Sequence, residues 1–245
     1  MPHISATDLT KSFGTLQAIS NLNLTIEEGE FVSIIGPSGC GKSTLLRILG
    51  GLLAPSSGSV AIAGGSPQAA QARKQIGFVF QDPALLPWRN VTSNINLPME
   101  INRGASSGVG VAELLDMVGL KEFQSYHPYQ LSGGMQQRVA LARALVFDPP
   151  ILLMDEPFGA LDEITRGEMR YELLRIWEQR RKTVVFVTHS IAEAIALSDR
   201  VLVMSRQPGQ IKANIAINLP RPRTEEIELT DKFRAYAKEL KDLLK

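Results

Sequence analysis

Three short apolar runs punctuate the chain: Phe31-Val32-Ser33-Ile34-Ile35, Ile151-Leu152-Leu153-Met154 and Thr183-Val184-Val185-Phe186-Val187. Their length and β-branched content predict buried strands. Residues 1–80 alternate short strand patterns with turns at Glu27-Glu28-Gly29, Gly50-Gly51, Ser56-Ser57-Gly58 and Ala63-Gly64-Gly65. Residues 82–148 read as mostly helical: Met135, Val139, Ala142 and Leu145 keep helical spacing, and Ala112, Leu114, Leu115, Met117, Val118 and Leu120 alternate with acids. A loose Gly/Ser stretch from Arg103 to Gly110 reads as a surface loop. From 149 to 204 the order is strand, helix, strand, helix, strand, the βαβ pattern of a parallel sheet. The Pro-interrupted segment Asn218–Arg223 precedes a helix with Phe233, Tyr236, Ala237, Leu240 and Leu243 on one face, which is expected to dock on the core. The pattern therefore predicts one α/β domain over 1–245: a core from 1–81 and 149–204, a helical subdomain over 82–148, and a C-terminal extension over 205–245.

The first strand runs into Gly36-Pro37-Ser38-Gly39-Cys40-Gly41-Lys42-Ser43-Thr44, which fits the phosphate-binding pattern G-x-x-x-x-G-K-[ST]. The helical run Thr44–Leu49 follows, so the strand, loop and helix context is complete. Glycines let several backbone N–H groups converge on a polyphosphate, and a helix N-terminus adds a favourable dipole. Lys42 is then expected at the β- and γ-phosphates and Ser43 at a bound Mg²⁺. The second apolar run ends in Asp155 and Glu156. Two acids at a strand end divide labour: Asp155 orients the hydrated metal, and Glu156 polarises the attacking water. ATP with Mg²⁺ is the expected ligand.

Leu131-Ser132-Gly133-Gly134-Met135-Gln136 resembles the signature of ABC-type ATPases, and the resemblance covers nearly the whole chain. Gln81 in VFQD resembles the family's Q-loop, Ala160-Leu161-Asp162 its D-loop, and His189 in VTHS its switch histidine. The resemblance implies a P-loop NTPase core of ABC type with an antiparallel β subdomain and an inserted helical subdomain. It also implies ATP hydrolysis with Gln81 sensing Mg²⁺ and water, and His189 facing a phosphate oxygen. Ser132, Gly133 and Gly134 open a helix and form a second potential anion site, or Ser132 merely caps that helix. In the family, the signature of one protomer meets the γ-phosphate on the P-loop of another, so the resemblance implies a head-to-tail homodimer or related heterodimer. Where the family usually shows tyrosine for adenine stacking, this chain has Phe13, read either as that platform or as buried core.

The remaining histidines read as ordinary surface or loop residues: His3 at the terminus and His127 before the signature. No two histidines stand at metal-ligand spacing, which argues against zinc. One cysteine, Cys40, lies inside the phosphate loop and leaves no disulfide to form. With 44% hydrophobic residues and a net charge of +1, the 245-residue chain has ample core and no dedicated nucleic-acid surface. No apolar run is long enough to cross a bilayer and no signal-peptide pattern opens the chain, so membrane association is expected through partners.

The stretch Gln81–Val91 joins core to helical insert, and Leu85, Leu86, Pro87 and Trp88 are expected either to form an exposed groove for a short permease helix or to pack the hinge. The strings LLPWRNV and INLPRPR resemble importer ATPases for nitrate, sulfonates, taurine or bicarbonate, with thiamine precursors in neighbouring branches. That likeness implies transmembrane permease subunits, a periplasmic or lipoprotein solute-binding protein acting indirectly, and a position at the cytoplasmic face of the inner membrane. A soluble ABC ATPase acting on DNA or ribosomes fits less well, because the chain shows one cassette and no sustained heptads between phosphate loop and signature. A P-loop small-molecule kinase leaves LSGGMQQR unexplained.

Overall fold

The computed structural model describes residues 3–102 and 108–245. Positions 103–107 of the expected Gly/Ser loop lie outside the described residues. The strands are β1 (Ile4–Phe13), β2 (Leu16–Ile26), β3 (Phe31–Ile35), β4 (Ser57–Ile62), β5 (Ile76–Val79), β6 (Ile151–Asp155), β7 (Thr183–Val187), β8 (Arg200–Met204) and β9 (Ile211–Ala216). The helices are α1 (Lys42–Leu49), α2 (Pro67–Ala72), α3 (Val91–Ile101), α4 (Val111–Met117), α5 (Gly133–Leu145), α6 (Glu163–Arg180), α7 (Ile191–Leu197) and α8 (Asp231–Leu243).

Among the described residues the strands form an antiparallel sheet ordered β2-β1-β4 and a larger sheet ordered β5-β6-β7-β3-β8-β9. Strands β5 to β8 run parallel, and β9 pairs antiparallel with β8. The apolar runs are buried on both faces, as parallel strands under two layers must be. Their alternation divides them cleanly. Leu152, Met154, Val184 and Phe186 join the cluster shared with α3 to α6, whereas Ile151, Leu153, Val185 and Val187 join the cluster under α1 and the antiparallel sheet. Ile35, Val201 and Val203 pack with α7 and α8, where Phe233 and Leu240 are buried, so the last helix docks on the core.

Two details depart from the pattern reading. Residues 211–216 form an edge strand of the core sheet, although this stretch carries no long apolar run. His3 is half-buried, with its Nδ1 2.6 Å from the Thr183 hydroxyl, so it fixes the chain start to β7 and is not a free surface residue.

Candidate functional site

β3 delivers the phosphate loop to the end of the parallel sheet. Gly41, at φ +102°, precedes α1, and a Cβ there would lie 2.9 Å from the Ala18 carbonyl, so only glycine lets the loop turn into the helix. Lys42 is buried and its ammonium donates to the carbonyls of Gly36 at 2.8 Å and Pro37 at 3.2 Å. Ser43 donates to Asp155 Oδ1 at 2.7 Å, which joins the loop to the end of β6. Burial pushes the Asp155 carboxyl above its ordinary range, against the Ser43 hydrogen bond and the nearby cations that pull it down. Cys40 points into the core and burial raises its thiol, so it offers the loop backbone and not a reactive sulfur.

A cleft of about 310 Å³ opens over this loop, lined by Ser38, Gly39, Gly41, Lys42, Ser43, Thr44, Glu156 and Phe13. Phe13 is 48% exposed at the tip of the β1–β2 hairpin, with the Lys11 ammonium 5.0 Å from its ring centroid, so the buried-core alternative does not hold. Leu16, Ala18 and Gln207 line the same cleft and were missed. Leu16 pairs with Phe13 across Gly14-Thr15, so the hairpin pattern could have found it. Gln207 arrives from the connection after β8, for which the sequence carries no signal.

Glu156 sits at φ +46°, a left-handed conformation that costs a side-chain-bearing residue roughly 1–3 kcal/mol. Its N–H donates to the Val187 carbonyl at 2.9 Å, holding β6 and β7 in step at the cleft. Its Oε2 lies 3.0 Å from His189 Nδ1. The strand ends thus bring Asp155, Glu156 and His189 beside the phosphate loop. Gln81 is exposed and its amide lies against the Glu156–Gly159 turn, where a Cβ on Gly159 would be 2.9 Å from Gln81 Nε2. Neither Gln81 nor Pro37 is among the residues lining the cleft.

Ser132, Gly133 and Gly134 are elsewhere. Ser132 Oγ accepts the Met135 N–H at 3.3 Å, so it does cap α5, yet Ser132 and Gly133 remain exposed. Gly134 is buried where a Cβ would stand 2.6 Å from Thr165, so the helix end fits against α6 only without a side chain. None of the three lines the cleft over the chain's own phosphate loop.

In the connecting stretch the exposed reading fits Trp88 but not the two leucines. Trp88 is 72% exposed and packs no hinge, while Leu85 and Leu86 are half-buried and Leu85 contacts the helical core. Asn94, fully buried in α3, was missed. It accepts the Leu86 N–H and donates to the carbonyls of Leu86, Arg89 and Asn90, which fixes the loop that presents Trp88. Arg143 holds the carbonyls of Pro83 and Ala84, and Gln137 that of Phe80. A separate cleft of about 420 Å³, lined by Phe78, Leu97, Pro98, Ile101 and Phe147 among others, lies between β5, α3 and the end of α5.

A family model described as ABC transporter matches residues 19–159. An uncharacterized ABC transporter ATP-binding protein of Methanocaldococcus jannaschii is 46% identical over 244 residues, covering 97% of this chain and 90% of the relative. The aliphatic sulfonates import ATP-binding protein SsuB of Bacillus cereus is 45% identical over 225 residues, covering 92% of this chain and 88% of the relative. The fold superposes on the dimeric structure of MJ0796, a bacterial ABC transporter cassette, with a TM-score of 0.75 and 39% identity over 89% of this chain and all of that one. A dimeric post-hydrolysis state of the same cassette, bound to ADP and Pi, superposes with a TM-score of 0.74. With the phosphate loop, the paired strand-end acids and the signature helix in one α/β fold, the chain belongs to the ABC transporter family as an ATP-binding, ATP-hydrolysing cassette.

Proposed function

We propose that this chain powers a membrane importer for a small anionic solute, of the aliphatic sulfonate, nitrate, taurine or bicarbonate kind, by closing head-to-tail with a second cassette around ATP. The observation that carries the dimeric part is that exposed Ser132 and Gly133 do not line the cleft over the chain's own phosphate loop. The sulfonate-import relative supports the solute class. No helix among the described residues is long and apolar enough to cross a membrane, which suits attachment to permease subunits at the cytoplasmic face of the inner membrane.

In this reading the loop N–H groups and Lys42 hold the phosphates, and Phe13 stacks on adenine. Ser43 and Asp155, already 2.7 Å apart, are hard oxygen donors of the kind Mg²⁺ takes alongside substrate phosphates and water, with Gln81 completing the set. The ion would neutralise charge developing on the phosphate oxygens. Glu156 accepts the proton of the attacking water, and His189, beside it at 3.0 Å, offers its N–H to a phosphate oxygen.

Two tests follow. Lys42→Ala should weaken nucleotide binding in the monomer. Ser132→Arg, which covers an exposed helix end, should bind ATP normally but lose dimerisation and about 10²-fold in turnover, the scale of removing one preorganised donor. Equal loss of monomer affinity in the two variants, by titration calorimetry, would contradict the assignment across two chains. For the permease contact, Trp88→Ala should reduce co-purification with the membrane subunit while the melting temperature and basal ATPase of the isolated chain stay unchanged, as for other exposed positions. Undiminished co-purification would rule Trp88 out of that interface.

A further inference from the structure

We propose that Glu193 is the positioning residue for His189, acting through Thr188 and tying the switch segment to the start of α6 through Arg166; the inference rests on the role given to His189 above. Glu193 lies in the first turn of α7 and is 4% exposed, too deep to meet a reacting phosphate. A carboxylate so buried is costly unless its oxygens are engaged. One is hydrogen-bonded and the other faces a guanidinium at ion-pair distance. Oε2 accepts the hydroxyl proton of Thr188, itself buried, and Oε1 lies 3.8 Å from Arg166 Nε.

The direction of these bonds decides what Glu193 does. A threonine hydroxyl has one proton. Having donated it to Glu193, Thr188 Oγ1 is free to accept, and it takes the Ser190 N–H at 2.9 Å. Residues 188 and 190 are thereby fixed on either side of His189, whose own ring is exposed and, among the described residues, bonds only Glu156. Without Glu193 the hydroxyl can rotate, and the loop that aims the imidazole loses one of its anchors, the Thr188 N–H bond to the Ile34 carbonyl remaining.

The other oxygen links two loops that meet the same chemistry. Arg166 Nη2 donates to the Leu161 carbonyl at 2.9 Å and Nη1 to Glu163 at 3.1 Å, so one guanidinium spans the Ala160-Leu161-Asp162 turn and the carboxylate behind His189. Burial raises the Glu193 carboxyl, opposed by the Thr188 bond and by the nearby charges of Arg170 and Arg166. A first-turn acid that served only the helix dipole would need none of these contacts, and such acids ordinarily face solvent.

The test is a mutant cycle on the purified full chain, read as steady-state phosphate release. Thr188→Val, which deletes one hydroxyl, should lower kcat about tenfold with the KM for ATP within about twofold, the mark of a misplaced group and not of lost binding. Glu193→Gln, keeping an acceptor for Thr188, should retain more activity than Glu193→Ala. In a His189→Ala background neither Thr188→Val nor Glu193→Ala should cost anything further. If Glu193→Ala fails to fold, Thr188→Val carries the same cycle. Equal losses in both backgrounds, or wild-type kcat for Thr188→Val, overturn the inference alone. Wild-type turnover in the His189→Ala single variant overturns the histidine's role and the inference with it.

Discussion

Glu156→Gln is expected to bind ATP as the wild type does and to hydrolyse it about 10²–10⁴-fold more slowly, the usual contribution of a positioned general base. That range is roughly 3–5 kcal/mol of barrier. Binding should survive because the groups expected to hold phosphate, the loop N–H donors and Lys42, are anchored by α1 and the Gly36 and Pro37 carbonyls and not by Glu156. The amide is isosteric, so the left-handed backbone at this position, the Val187 hydrogen bond and the fit in the cleft are kept. Only the basic oxygen beside His189 is lost. With hydrolysis slowed, the variant should accumulate with ATP as a dimer, visible by light scattering. Wild-type turnover in a preparation free of contaminating ATPase would show that another group takes the proton.

The parts of this site that were legible are those where one short segment carries the whole physical requirement. The phosphate loop needs glycines, a lysine and a hydroxyl within nine positions directly after a strand, and the chain supplies them at 36–44 behind the apolar run 31–35. The parallel strands were legible because burial on both faces leaves no polar position to break the run: β6 and β7 are buried at every residue. Strand β9 was not, because it lies at a sheet edge with Lys212, Asn214 and Ala216 exposed, and an alternation confined to six residues is a weak signal. Contacts between distant segments were equally hidden. Nothing in the spacing of Glu156 and His189, 33 positions apart, predicts their 3.0 Å approach, which needs β6 and β7 to be neighbours in register. Buried polar side chains were the least legible class: Asn94 in α3 and Glu193 in α7 resemble surface helix residues until the loops they hold are seen.

Arg223 belongs to that class, and replacing it is expected to produce a large loss of stability. In the Pro-interrupted stretch 218–223 before the last helix, the second arginine is 5% exposed and donates to five backbone carbonyls. Those of Ile195, Ala196 and Ser198 belong to the C-terminal end of α7, whose last carbonyls have no partners within the helix, and those of Ile217 and Leu219 to the segment leaving β9. A cation at a helix C-terminus also gains from the dipole. Burial lowers the guanidinium to about 10, a mark of how little water reaches it. Arg221 secures the same segment from outside, bonding Asp199 and lying 4.3 Å over Trp177, so the two arginines hold the C-terminal extension to the core sheet. Arg223→Met keeps much of the volume and removes every donor, stranding carbonyls that cost about 1–3 kcal/mol each when buried without a partner. Partial rehydration at the α7 end keeps the total below the sum, at roughly 3–5 kcal/mol. For a chain of this size that corresponds to a fall in melting temperature of roughly 6–20 °C. Arg223→Lys, with three donors on a compact head and no planar fork, should recover only part of it. The cleft residues lie elsewhere, so ATP affinity measured well below the transition should be unchanged; a melting temperature within about 2 °C of wild type for Arg223→Met would mean that water serves these carbonyls as well as the guanidinium does.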